Sequence, residues 1–116
     1  VYLMHDSQNG YYKIGISKTP KYRERTLQSE KPTIDMICAK EYPSRKIAEA
    51  IEQALHKVYA EERIRGEWFD LSEFDVEMIS ETLKWLAAMN YYKFGIESVT
   101  LKDLIKKTLK TPNHGG

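Results

Sequence analysis

Between residues 11 and 16 the chain alternates: Tyr12, Ile14 and Ile16 fall on one side, and Tyr11, Lys13 and Gly15 on the other. That two-residue period is the signature of a strand. Val1-Tyr2-Leu3-Met4 is of the same type, and Asn9-Gly10 between the two segments is a tight-turn signal. An antiparallel hairpin is therefore predicted. If Val1 and Leu3 share a face with Tyr12, Ile14 and Ile16, then Tyr2, Lys13 and Gly15 share the opposite one. A glycine there permits close approach of a ligand or another backbone.

Helical signals follow. Thr19-Pro20 reads as an N-cap with proline in the first turn, opening a helix to about Leu27 that carries Arg23. Residues 33–41, with Ile34, Met36, Ile37, Cys38 and Ala39, read as a third, largely buried strand. Pro43-Ser44 opens a helix to about Tyr59, on which Ile47, Ile51, Ala54, Leu55 and Val58 form one apolar stripe. Glu52 lies at the edge of that stripe and His56 one turn beyond it. Gly66-Glu67-Trp68-Phe69 closes the unit with aromatic residues, and Ser72-x-x-Asp75 resembles a capping box that opens a third helix to about Asn90. Thr100-x-x-Asp103 begins a last short helix to about Leu109, and the residues after Pro112 are expected to fray. The pattern predicts a small α/β (α+β) fold: a three-stranded antiparallel sheet flanked by helices over residues 1–72, then a helical extension over 73–116.

Composition narrows the function classes. The chain has 116 residues, 41% hydrophobic and 30% charged, enough for one packed module. Cys38 is the only cysteine, which rules out an internal disulfide and leaves a thiolate zinc cage nothing to build with. His5, His56 and His114 are scattered, so a metal site here needs carboxylates. No apolar run approaches the ~20 residues that span a bilayer, and the first residues lack a secretory layout. A soluble, cytoplasmic protein is the expectation, with association with the nucleoid a further possibility and no membrane partner. Net charge is only +1, yet Lys13, Lys18, Lys21, Arg23 and Arg25 face Glu24 alone within one short segment. By contrast, residues 67–81 carry six acids and no base. The first segment suits phosphates and the second repels them.

With those residues in view, the chain resembles the GIY-YIG endonuclease superfamily, and within it a phage-type, DNA-binding nuclease-like branch. Val1-Tyr2-Leu3 stands where the Gly-Ile-Tyr-like motif stands, and Lys13-Ile14-Gly15 stands for Tyr-Ile-Gly at the hairpin spacing of the family. Arg23, eight residues after Gly15, matches the catalytic arginine, and Ile51-Glu52-x-x-Leu55 matches the position of the metal-binding glutamate. Glu-x-x-x-His and Gly-Glu-Trp-Phe point to the phage-type branch. The resemblance covers residues 1–72. It implies a magnesium- or manganese-dependent DNA endonuclease with Glu52 as metal ligand and Arg23 as a donor to the phosphate. Tyr2 would line the pocket and deprotonate or orient the attacking water.

The chemistry itself asks for such residues. Phosphodiester hydrolysis needs a nucleophilic water, neutralisation of charge growing on the phosphoryl oxygens, and help for the departing oxyanion. A hard divalent ion keeps several waters, so one or two carboxylates hold it beside a phosphate. The arginine fork matches phosphate geometry. Lys13, at the tyrosine position of the second motif, could lower the pKa of Tyr2, and His56 is placed to take over proton transfer. Lys18, Lys21 and Arg25 would bind backbone phosphates through counterion release. Two other readings use the same residues: a DNA-binding module without cleavage, and an adaptor that docks partners through the helical extension.

Overall fold

The computed structural model describes residues 1–88. The helix expected near 100–109, the fraying tail and the last predicted residues of the third helix, Met89 and Asn90, lie outside them. Strands β1 (Tyr2–Asp6), β2 (Tyr12–Gly15), β3 (Ile34–Ala39), β4 (Arg63–Arg65) and β5 (Trp68–Phe69) form one sheet in the order β3-β1-β2-β5-β4, with every pairing antiparallel. The α+β class is as expected, but the sheet has five strands rather than three. The added pair is a hairpin turning at Gly66 (φ 54°), docked on the free edge of β2. One of its strands has three exposed residues and the other has only two residues, too few for alternation to show.

The first hairpin pairs Tyr2 with Gly15, Leu3 with Ile14 and Met4 with Lys13, so the two faces divide as the alternation predicts. Its connection is longer than a two-residue turn. Asp6 N–H donates to the Tyr11 carbonyl at 2.9 Å, and Gly10 N–H, on a residue with φ 79°, donates back to the Asp6 carbonyl at 2.8 Å. Asp6 is the reason for the extension, because its fully buried carboxylate organises the loop. Oδ1 accepts from Thr33 Oγ1 (2.6 Å) and from Gln8 N–H (2.9 Å), while Oδ2 pairs with Lys31 Nζ at 2.5 Å.

Helix α1 (Pro20–Glu30) begins after Thr19 as predicted, although the Thr19 hydroxyl makes no capping bond. None of its residues is fully buried; Leu27 packs on the Tyr2 cluster, and polar contacts help fix the helix. A Glu24 carboxylate oxygen accepts from Met36 N–H at 2.7 Å, and Gln28 Nε2 donates to the Ile34 carbonyl at 2.7 Å. Helix α2 (Arg45–Val58) is capped by the Ser44 hydroxyl, which accepts from Ile47 N–H, and it buries Ile51, Ala54 and Leu55. Helix α3 (Glu73–Ala88) opens with the reciprocal Ser72–Asp75 bonds, both 3.1 Å. One sheet face, with Leu3, Ile14 and Phe69, packs against α2 and α3 through Ile51, Leu55, Ile79, Leu83 and Leu86, so the shared core continues past residue 72. The other face gathers Tyr2, Met4 and Ile34 under Leu27, Met36 and Trp68. No helix among the described residues is long and apolar enough to cross a membrane.

The Asp6 anchor sets an acid limit. Burial alone would raise its pKa, but Lys31, Thr33 and the Gln8 N–H outweigh burial and hold it below the ordinary 3.8. A pKa lower in the folded than in the unfolded chain gives stability that is complete above 3.8 and is lost as pH falls through the folded value. Asp6→Asn is expected to destabilise by about 1–3 kcal/mol at pH 7. Comparing urea midpoints at pH 7 and pH 2.5 checks this, since the gap between native and variant should narrow in acid.

Candidate active site

Tyr2, at the start of β1, and Gly15, at the end of β2, are cross-strand partners on the face that α1 partly covers. The Tyr2 ring is 2% exposed and lies across the glycine. A Cβ at position 15 would stand 2.5 Å from the Tyr2 hydroxyl, 2.7 Å from Cζ and 3.0 Å from Glu67 Oε1. Space, not backbone conformation, demands glycine here, because any side chain would drive apart a phenol and a carboxylate that meet above it. Gly15→Ala is expected to cost about 1–3 kcal/mol of stability through overpacking. It should also displace the Tyr2 hydroxyl, which a near-ultraviolet dichroism change in the tyrosine band together with a lowered urea midpoint would register.

Arg23 comes from α1, whose rotation is set by Glu24 and Gln28 on β3 and by Leu27 on the Tyr2 cluster. That rotation brings the exposed guanidinium into hydrogen-bonding reach of the Tyr2 hydroxyl. Burial pushes the Tyr2 pKa up and the Arg23 contact only partly opposes it. Tyr2 therefore keeps its proton at neutral pH and can orient a ligand oxygen, but it has no phenolate to offer as a base.

Glu52 reaches the site from α2. Its Oε2 is buried without a hydrogen-bond partner, and its pKa is pushed up to about 7 by burial, by the charge of Glu67 and by a contact with the Glu67 carboxyl. The two carboxyls are neighbours, and their mutual repulsion favours the protonated form of Glu52. Glu67, whose residue type suits a cap or salt bridge, does form a salt bridge, with Lys13, and it also stands beside Glu52. Its backbone carbonyl accepts from Ile14 N–H at 3.0 Å, and this extension of the β5–β2 pairing carries its side chain to the centre of the site. The only signal was its place in Gly-Glu-Trp-Phe. Lys13, 9% exposed, pairs with Glu67 Oε1 at 3.1 Å and holds its ammonium 5.4 Å from the centre of the Trp68 ring.

The other sequence candidates fall in two groups. Lys18, Lys21 and Arg25 are exposed, the latter two on the helix that carries Arg23 and the first just before it. His56 is committed elsewhere, with Nε2 2.9 Å from the Ile14 carbonyl and its ring tilted on Phe69 at 4.9 Å between centroids. As the donor in that bond, Nε2 ties α2 to β2, which is a structural task.

The donor set suits a hard divalent cation. An orphaned, buried oxygen on Glu52 and a second carboxylate beside it form a concentration of negative charge that a cation would relieve. Among the described residues no three His, Cys, Asp or Glu side chains converge into a closed protein cage, so such an ion would complete its shell with water and phosphate oxygens.

The family model of the T5orf172 domain matches residues 1–87. No curated protein and no solved structure matches the chain. The domain is phage-associated and related to nuclease-like folds.

Proposed function

The chain belongs to the T5orf172 domain family, and from that premise and the geometry of the site we propose that it is a divalent-metal-dependent DNA endonuclease of the GIY-YIG type. One observation carries the reading. Four groups from separate parts of the chain, the Tyr2 hydroxyl on β1, the Arg23 guanidinium on α1, the Glu52 carboxyl on α2 and the Glu67 carboxyl in the β4–β5 turn, gather near a glycine at the end of β2 that leaves room for them. Structural ion pairing alone does not favour setting one carboxyl beside another that has a buried, uncapped oxygen.

Glu52 and Glu67 would hold magnesium or manganese. When bound, that ion supplies neutralising charge at the phosphoryl oxygens and acidifies a water. The remaining steps belong to the chain. Arg23 presents two parallel N–H donors to a non-bridging oxygen of the scissile phosphate, where negative charge grows during the displacement. The Tyr2 hydroxyl, protonated and fixed by Arg23 and the sheet, orients the water or the phosphate oxygen beside it. Lys18, Lys21 and Arg25 hold the flanking backbone without reading its sequence.

The test is the nicking of supercoiled plasmid by the full chain with magnesium, repeated in EDTA. Conversion to the nicked form only in magnesium supports the reading, and no conversion at any divalent-ion concentration removes it. A second reading rests on the Lys13–Glu67 pair. An internal ammonium already neutralises one of the two carboxylates at 3.1 Å, which suits a DNA-binding module that needs no metal. DNA binding that is unchanged by EDTA, in a chain that never cuts, would select it.

A further inference from the structure

The strand register lines up Met36, Met4, Lys13, Trp68 and Arg65 as one row across all five strands, on the face that carries Tyr2. Helix α1 lies over the β3–β1 half of that face, where Leu27 packs on Tyr2, Met4 and Ile34. The β2–β5–β4 half is left open beyond the edge of the helix. A cleft of about 370 Å³ lies there, between Leu27 and Lys31 on one side and Ile64, Arg65 and Trp68 on the other, with Tyr11 at its end. That volume is in the range that encloses small planar ligands.

The lining is mixed: beside the charged Asp6, Glu30, Lys31 and Arg65 it offers two kinds of apolar wall. Trp68 and Tyr11 supply aromatic surface, and Ile64, 47% exposed, and Leu27 supply aliphatic surface. Arg65 stands at the mouth as a cation, and Lys13 over the Trp68 ring joins the cleft to the cluster around Gly15. A cleft that sets Trp68 and Tyr11 beside the cations Arg65 and Lys31, and that Lys13 connects to the Gly15 cluster, has elements of a base-stacking platform.

We propose that this cleft receives an unpaired nucleobase, one of the nucleotides neighbouring the phosphate held at Arg23 and Glu52. The substrate class is then a strand with at least one base out of the stack: single-stranded, flapped, nicked or distorted DNA. An intact duplex must first extrude a base, and it pays unstacking energy to do so. The proposal rests on the nucleic-acid reading above and adds to it which part of the nucleotide, other than the phosphate, the fold recognises.

The test compares two single strands of equal length and charge, an oligothymidylate of about 12 nucleotides and its fully abasic counterpart, titrated against the full chain in EDTA. The native chain is expected to bind the base-bearing strand about 5- to 150-fold more tightly. In a Trp85→Phe background the emission of Trp68 should be quenched by the first strand and not by the second. Trp68→Ala should erase the preference while leaving affinity for the abasic strand unchanged. Because Trp68 also packs on the buried cluster, Ile64→Ser at an exposed position is the second variant, and it should reduce the preference without loss of fold. Equal affinity of the native chain for the two strands, or equal quenching by both, overturns the slot and leaves phosphate binding intact. Binding of neither strand overturns the slot together with the nucleic-acid reading.

Discussion

Replacing Arg23 by alanine is expected to lower the proposed metal-dependent nicking by about 10²–10³-fold, the loss that follows removal of one preorganised donor to a developing oxyanion. The side chain is exposed, so its loss leaves no hole in the core, and the thermal midpoint should move by about 4 °C at most. Separation of the two effects is the point of the experiment. Arg23→Lys keeps the charge but replaces the planar fork by a single flexible ammonium, so it should recover only part of the rate. A plasmid-nicking time course for native, Arg23→Ala and Arg23→Lys chains, with melting curves alongside, checks all of this. Full activity in Arg23→Ala would remove the guanidinium from the mechanism.

The second large effect is on stability. Phe69→Ala is expected to cost about 3–5 kcal/mol, read as a lower urea midpoint. Phe69 is fully buried against the α2–α3 side, pairs with Tyr12 and Arg63, and supports the His56 ring. A domain of this size has only about 5–15 kcal/mol to lose. The damage is also local to function. Phe69 seats β5, and its neighbours Glu67 and Trp68 depend on that seat, so the variant should lose nicking activity even at temperatures where it remains folded.

The parts of the fold that were legible in the sequence are those governed by short-range periodicity. Two-residue alternation placed Leu3 and Ile14 opposite Tyr2, Lys13 and Gly15, and the register confirms that division. The stripe on α2 and the Ser72–Asp75 cap were readable because each is contained within a few turns of helix. The β4–β5 hairpin was not, because its strands carry too few residues to establish a period. Nor was the placement of α1, which has no fully buried residue, packs through Leu27 and is held by Glu24 and Gln28 on backbone groups of β3. No hydrophobic pattern encodes the polar part of that placement.

The site divides in the same way. Tyr2, Gly15, Arg23 and Glu52 were each singled out by residue type and motif, and the fold brings them together. The nearness of Glu67 to Glu52 was not legible in the sequence, because it arises from a strand pairing between distant segments. His56, attractive by spacing from Glu52, is bound instead to the Ile14 carbonyl, a partner 42 residues away.

Manganese binding to the full chain, followed by the loss of its free-ion paramagnetic resonance signal at pH 8, interrogates the paired carboxyls most directly. One saturable ion per chain is predicted, with binding at least about tenfold weaker in both Glu52→Gln and Glu67→Gln and weakening in the native chain as pH falls below 7, where Glu52 takes up its proton. A native chain that binds no manganese, or whose binding is unchanged by either substitution, would contradict the account.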